Sequence, residues 1–255
     1  MNILFTVCGR EGSKGVKNKN IRKFLGVPLF EYTLSSINLY KDRNSQKFQN
    51  IHTAMSTDSR EFIEMISARK SNEFHIINRN TALAEDNTPK MYAIKDALEK
   101  SEIISSLKYD IIVDLDITSP IRTITDIENA VNKEVQSNDY DVVFSVTDAR
   151  RNPYFNMVIE EDKYVKKVLE SNYTARQQAP VMYDMNASIY AYKREFLLSE
   201  VKSPLEGKAG MIEMLDTGII DIDSDNDFNL MEVIANWIID NKKDYFYLGK
   251  IRGNI

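Results

Sequence analysis

The chain has 255 residues, 43% of them hydrophobic and 28% charged, with a formal net charge of −5. That length supports a self-sufficient core, and the single Cys8 excludes an intramolecular disulfide, as suits a reducing cytoplasm. The acidic balance excludes a general nucleic-acid binder, no stretch approaches the ~20 apolar residues of a membrane span, and Asn2 replaces the basic start of a secretory leader.

The first predicted element is an apolar strand, Ile3–Cys8, emptying into a loop with glycines at 9, 12 and 15. Through Lys23 the loop carries Arg10, Lys14, Lys17, Lys19, Arg22 and Lys23 against one acid, Glu11. Glycines admit close backbone approach, and N–H groups with cations suit polyphosphate. Gly12-Ser13-Lys14-Gly15 lacks the Walker A order, and G-x-G-x-x-G is absent, so neither a P-loop kinase nor a dinucleotide binder is supported. The segment resembles the A-R-x-x-S-K-G-x-x-x-K-N signature of the CMP-sialic acid synthetases, with Arg10, Ser13, Lys14, Gly15, Lys19 and Asn20 in place and Gly9 where Ala is usual. The resemblance implies that Arg10, Ser13, Lys14 and Asn20 bind the nucleotide and that Arg10 and Lys19 neutralise its phosphates.

A helix over Pro28–Tyr40 leads to a strand at Ile51–Met55, followed by Ser56-Thr57-Asp58, read as caps of the helix Ser59–Lys70. His52 and His75, in or beside strands, are assigned to structure. After the strand Phe74–Ile77, Arg79-Asn80-Thr81-Ala82-Leu83-Ala84-Glu85-Asp86 resembles the family's R-P-x-x-L-A-x-D, which sets Arg79 near the pyrimidine base. A guanidinium fork can donate to a base carbonyl and stack on the ring.

Next come a helix at Pro89–Lys100 and a strand at Asp110–Leu115, which ends in Asp116-Ile117-Thr118-Ser119-Pro120-Ile121-Arg122. This resembles L-x-P-T-S-P-x-R, with Asp116 where sialic acid synthetases usually present Gln. Asp116, Thr118 and Ser119 are then candidates for contact with the sugar, while Asp114 is read as facing a helix end. A helix at Thr125–Ser137 and a strand at Asp141–Val146 follow.

Regular alternation lapses over about 147–187, where a hairpin pairs Asn156–Glu160 with Tyr164–Leu169 around Glu161-Asp162-Lys163. This stretch is expected to be an insertion in a single domain of residues 1–255. The resemblance implies that it builds a homodimer and reaches the partner's active site. Arg176-Gln177-Gln178-Ala179-Pro180 and Asn186-Ala187 resemble R-Q-x-x-P and N-G, implying that Arg176, Gln177 and Asn186 bind the acidic sugar, Arg176 through its carboxylate. Asp184 replaces an Arg and Phe155 a Lys. With Asp116, these departures resemble the CMP-legionaminic acid synthetases, whose sugar is a 5,7-diamido-9-deoxy relative of sialic acid suited to an aromatic wall of Tyr154 and Phe155.

After strands at Ser188–Tyr192 and Gly218–Ile222 come Asp221-Ile222-Asp223 and a helix at Asp227–Asp240. Period two puts both acids on one side, and paired carboxylates beside phosphates can hold Mg²⁺. The family's D-I-D motif matches both. The alternation of strands and helices predicts an α/β fold with a mostly parallel sheet covered on both faces and ligands beyond the strand ends. The resemblance makes it Rossmann-like, of the nucleotide-diphospho-sugar transferase type.

The implied reaction is attack by the anomeric hydroxyl of a nine-carbon α-keto acid sugar on CTP, giving CMP-sugar and diphosphate, with Arg10, Lys19 and Asp223 catalytic. Asp116 and a metal-bound hydroxide are candidates for the general base. Rival readings are the same chemistry on sialic, pseudaminic or octulosonic acid, and a nucleotide-sugar binder without catalysis.

Overall fold

A computed structural model describes residues 1–12, 15–69, 74–137, 139–217 and 221–252. Ser13 and Lys14 lie outside the described residues, as do 218–220 of the expected final strand. In chain order the elements are β1 Asn2–Cys8, β2 Lys23–Phe24, β3 Val27–Pro28, α1 Leu29–Asn44, β4 Asn50–Thr57, α2 Arg60–Ser67, β5 Phe74–Asn78, α3 Lys90–Ser105, β6 Ile111–Leu115 and α4 Ile124–Gln136. They continue with β7 Val142–Asp148, β8 Val158–Glu161, β9 Tyr164–Lys167, β10 Tyr183–Lys193, α5 Arg194–Leu198, β11 Ala209–Glu213, α6 Asp225–Asn241 and α7 Phe246–Arg252.

Seven strands form one sheet in the order β11-β7-β10-β6-β1-β4-β5. Among them β10 runs antiparallel to both neighbours and the other pairings are parallel. The chain moves outward from β1 through β4 to β5, then returns to place β6 on the other side of β1. That reversal opens a crevice beyond the C-terminal ends of β1 and β6, where α/β sheets bind ligands.

The alternation inside β1 shows why the sheet is covered twice. Ile3, Phe5 and Val7 join one core cluster with α1, α2, α4 and α6, while Leu4 and Cys8 join a second with α3. All five are buried, as parallel strands require. Thr123 caps α4 through a reciprocal box with Asp126, and Ser224 caps α6 with Asp227. With these caps α4 starts one residue before the expected Thr125 and α6 two residues before the expected Asp227. Asp225 falls in the first turn of α6, where its charge suits the helix dipole.

Besides the unexpected short elements β2, β3, α5 and α7, three departures from the expected elements matter for the sheet and the cleft. Asp221 and Ile222 lie in no strand; the Ile222 N–H instead donates to the Thr118 carbonyl at 3.0 Å, tying the chain to the loop after β6. Strand β11 has no counterpart in the expected set: it is short, its exposure alternates, and Gly210 lets the Tyr140 ring lie against its backbone. The cap of α2 is Ser59, whose N–H is accepted by Thr57 Oγ1, whereas Asp58 accepts the Glu11 N–H at 2.9 Å and so fastens the first loop.

Strand β10 changes register between Met185 and Tyr190, and there Ala187 has φ of 51°. A Cβ is strained in that left-handed region, which explains the glycine of the N-G pattern. Ala187→Gly is expected to raise stability by about 0.5–1 kcal/mol, seen as a higher urea midpoint at unchanged m value. A lower midpoint would show that the Ala187 methyl contributes more by packing than it costs in strain.

Candidate active site

Beyond the ends of β1 and β6 lies a cleft of about 480 Å³. Its lining includes Arg10, Gly15, Lys19 and Asn20 from the first loop, Arg79 and Asp86 after β5, Lys90 at the start of α3, Asp116 and Thr118 after β6, and Asp221 and Asp223 before α6. Four segments far apart in sequence converge on one volume. A larger cavity of about 780 Å³ between α1 and α7 contains none of these residues.

The first loop and the last acidic turn are in contact. The Lys19 ammonium, on a residue only 9% exposed, donates to the Ile222 carbonyl and meets Asp223 Oδ1 at 3.0 Å. A Cβ placed on Gly15 would lie 1.7 Å from the Asp223 carbonyl oxygen. Only a residue without a side chain permits that approach. Asn20 donates to the Arg10 carbonyl at 3.0 Å and holds the turn open. A Cβ on Gly9 would come within 2.7 Å of Phe62 and 2.9 Å of Asn20 Nδ2, so the glycine where the resemblance has Ala fits a tighter neighbourhood.

Arg10 pairs with Asp86 at 2.7 Å and donates to the Ala84 carbonyl at 3.0 Å, which fastens the segment after Arg79 over the cleft. Asn80, where the resemblance has Pro, caps the short turn Thr81–Leu83. Arg79 is buried, its fork bonded to the Ser56 hydroxyl at 3.0 Å and the Ser56 carbonyl at 2.7 Å. Its guanidinium plane is therefore fixed at the cleft wall before any ligand arrives.

At the floor, Lys90 reaches both Asp116, at 2.7 Å, and Asp114, at 2.8 Å. Burial acts to raise the Asp116 carboxyl, but the charge and hydrogen bond of Lys90, with the Thr118 N–H and hydroxyl, hold it down at about 2. So strongly stabilised a carboxylate makes a poor proton acceptor at neutral pH, which weakens Asp116 as a general base. Asp221 behaves oppositely. Burial, then the charges of Asp223 and Asp116, push it up to about 6 against the pull of Lys19.

Two carboxylates thus meet under mutual repulsion, a charge distribution that a hard divalent cation with oxygen ligands would relieve. Carboxylate oxygens are donors that suit magnesium completed by nucleotide oxygens; among the described residues no group of three or more His, Cys, Asp or Glu could hold a metal by itself.

The residues expected to hold the sugar are distributed over three places. Asp116 and Thr118 line the main cleft. Ser119 and Asn186 line a recess of about 10 Å³, where Asn186 Oδ1 already accepts from the Ser145 hydroxyl at 2.6 Å. Arg176 and Gln177 sit on an exposed turn, with Arg176 donating to the Ala149 carbonyl at 2.6 Å. His52 bonds Tyr109 at 2.6 Å, consistent with its structural assignment.

Two residues to which the sequence reading gives no role stand at the cleft. Lys90 is one; its signal is the Asp114 and Asp116 pair, which demands a countercharge. The other is the arginine of the motif after β6. Arg122 is fully buried, bonded to the Ser188 hydroxyl at 3.1 Å and to the Asp116 and Ser119 carbonyls, and so shapes the whole turn after β6. Tyr247 from α7 adds a bond to the Arg122 carbonyl at 2.6 Å.

The model of a family described as "Cytidylyltransferase" matches residues 5–244. The chain is 39% identical over 232 residues to the "Post-translational flagellin modification protein B" of Campylobacter coli, covering 91% of this chain and 94% of that one. It is 38% identical over 234 residues to the "CMP-N,N'-diacetyllegionaminic acid synthase" of Campylobacter jejuni, covering 92% and 95%. The solved CMP:2-keto-3-deoxy-manno-octonic acid synthetase complexed with CTP shares the fold, with a TM-score of 0.63 at 13% identity over 93% of this chain and 99% of that one. With a family match over nearly its full length, this chain belongs to the cytidylyltransferases and is a nucleotidyltransferase.

Proposed function

We propose that the protein transfers the cytidylyl group of CTP to a legionaminic-acid-type nine-carbon α-keto acid, releasing diphosphate. The observation that carries this reading is the contact between the first loop and the Asp221–Asp223 turn, which places cations and paired acids around one cleft. The relative named as a legionaminic acid synthase supports the choice of sugar.

In this reading the anomeric hydroxyl attacks the α-phosphorus of CTP and diphosphate leaves. Such transfer depends on positioning and charge stabilisation rather than on covalent chemistry by the protein. Arg10 and Lys19, with Ser13 and Lys14 of the same loop, bind the phosphates. Arg79 and Asn20 orient the nucleoside. Asp116 and Thr118 meet the sugar from the main cleft, with Ser119 and Asn186 shaping the adjoining wall. Asp221 and Asp223 hold Mg²⁺, which supplies electrostatic stabilisation of the developing phosphate charge.

The sugar site is completed by a second copy of the chain, which brings Arg176 and Gln177 to it. Support comes from the hairpin β8–β9, which among the described residues pairs only with itself and leaves Val158, Ile159, Tyr164 and Val165 exposed at 60%, 43%, 80% and 70%. Successive exposed residues mean that both faces of the ribbon lack a covering layer, a recognised mark of an interaction surface. Tyr164→Glu with Val165→Glu is expected to give a monomer by light scattering and to lower turnover. A variant that stays dimeric would remove the hairpin from the interface.

The decisive assay incubates the protein with CTP, Mg²⁺ and, separately, legionaminic, pseudaminic, sialic and octulosonic acids, measuring diphosphate release and CMP-sugar mass. The largest kcat/KM is expected for legionaminic acid. Turnover confined to another sugar would move the substrate, and no turnover with any of them would overturn the proposal.

A further inference from the structure

Lys90 is the first residue of α3, directly behind Pro89. A helix N-terminus carries partial positive charge, so a cation there stands against the local field unless acids reverse it. Here they do. Lys90 Nζ lies 2.8 Å from Asp114 Oδ2 and 2.7 Å from Asp116 Oδ2. Asp114 is fully buried, and its other oxygen accepts from the Thr6 hydroxyl at 2.8 Å. Asp116 Oδ1 accepts from the Thr118 N–H at 3.1 Å and hydroxyl at 3.0 Å.

Together with Lys90 these donors occupy three of the carboxylate's roughly four acceptor positions, leaving about one for a ligand. The Asp116 side chain is 19% exposed toward the cleft, so that position is reachable. A carboxylate without a countercharge there would add to the repulsion already set up by Asp221 and Asp223, and both substrates are anions.

We propose that Lys90 is a positioning residue for the sugar, acting through Asp116. The Lys90–Asp116 ion pair holds one acceptor oxygen of Asp116 still for a hydroxyl or amide N–H of the sugar and offsets the charge that would repel the sugar's own carboxylate. The proposal rests on the reading that Asp116 meets the sugar. It accounts for a feature that the Gln usual at this position does not need: an amide there is neutral and requires no ammonium beneath it.

The test is a kinetic cycle on the full-length enzyme with CTP and legionaminic acid, using Lys90→Met, Asp116→Asn, the double variant and Asp114→Asn. Lys90→Met is expected to raise the KM for the sugar roughly tenfold or more, with the KM for CTP within about twofold. In the Asp116→Asn background the same substitution is expected to add less than about twofold, because its route is already cut. Asp114→Asn is expected to keep the wild-type KM for the sugar, and Lys90→Arg to restore most of the loss.

Multiplicative effects of Lys90→Met and Asp116→Asn, or a rise in the KM for CTP instead, would overturn the proposal. So would an Asp114→Asn variant that reproduces the loss, since Lys90 would then act only by neutralising a buried acid. If Lys90→Met does not fold, Lys90→Met with Asp114→Asn removes the cation together with the buried charge and carries the same measurement. An Asp116→Asn variant with unchanged sugar KM would refute the sugar assignment of Asp116 itself and the proposal with it. A raised KM there with none in Lys90→Met would refute the role of Lys90 alone.

Discussion

Gly15→Ala is expected to lower kcat/KM for CTP roughly 100-fold or more while leaving the circular dichroism spectrum unchanged. The added carbon would sit 1.7 Å from the Asp223 carbonyl oxygen. A carbon and an oxygen approach without repulsion only to roughly 3.3 Å, so one of the two chains must withdraw by roughly 1.5 Å. The obstacle is backbone, so no rotamer change can relieve it. Withdrawal separates Lys19 from Asp223 and from the Ile222 carbonyl, contacts that now hold the cationic turn and the acidic turn at a fixed distance. The proposed binding of a triphosphate and a cation between them needs that distance, and displacement by an ångström in such a site costs about two orders of magnitude. Gly12→Ala is the control, because a Cβ there meets nothing within 4 Å. Wild-type turnover in Gly15→Ala would show that the two turns work without touching. Equal losses in both variants would assign the effect to backbone entropy rather than to the close approach.

The sheet was legible because its strands are short apolar runs bounded by polar loops, and β1 illustrates why. With both faces buried, its sequence is nearly continuous in apolar residues, a pattern that survives without tertiary information. The first-loop side of the cleft was legible for a related reason. A tight backbone turn imposes local spacing, so Arg10, Gly15, Lys19 and Asn20 carry their geometry within a few residues. The side formed by the turn after β6 and by Asn186 was not legible in the same way. Asp116 gains its character from Lys90, 26 residues earlier, and Asn186 loses its free oxygen to Ser145, 41 residues earlier. The Asp114 and Asp116 pair signals that a cation must lie near but not which one, and the bond of Asn186 to Ser145 leaves no mark in local sequence. Edge strand β11 escaped because one paired side and an alternating, glycine-containing sequence give a weak pattern. The turn at Asp221 is expected as strand because 218–222 is a short apolar run, but the Ile222 N–H bonds the Thr118 carbonyl instead of a ladder partner.

Asp223→Asn and Asp221→Asn are each expected to cut turnover by roughly 10²-fold or more, yet to differ in what they do to stability. Asp221 has a folded-state pKa of about 6, above its ordinary value of 3.8, because burial and then Asp223 and Asp116 disfavour its charge. Between about pH 4 and 6 the folded chain therefore binds more protons than the unfolded chain. Stability contributed by this group is present at low pH and is lost as pH rises through about 6. The side chain is partly solvent-exposed, so after allowance for screening the penalty above pH 7 is about 1 kcal/mol. Asp221→Asn removes the ionised form and is expected to raise the thermal midpoint at pH 7.5 in the presence of a chelator, even as activity falls. Asp223→Asn also removes one source of repulsion, but it takes away the partner of Lys19, and its midpoint is expected to change little. Added Mg²⁺ separates structural from ligating roles without reference to turnover. The wild-type midpoint is expected to rise with Mg²⁺ and CTP together, because a cation bound by the folded state stabilises it by mass action. Neither variant should show the Mg²⁺-dependent part of that rise. A full rise in both would mean that the acids serve only to anchor the cationic loop, and that the repulsion between them is a cost of bringing Lys19 to the phosphates rather than the means of holding a metal.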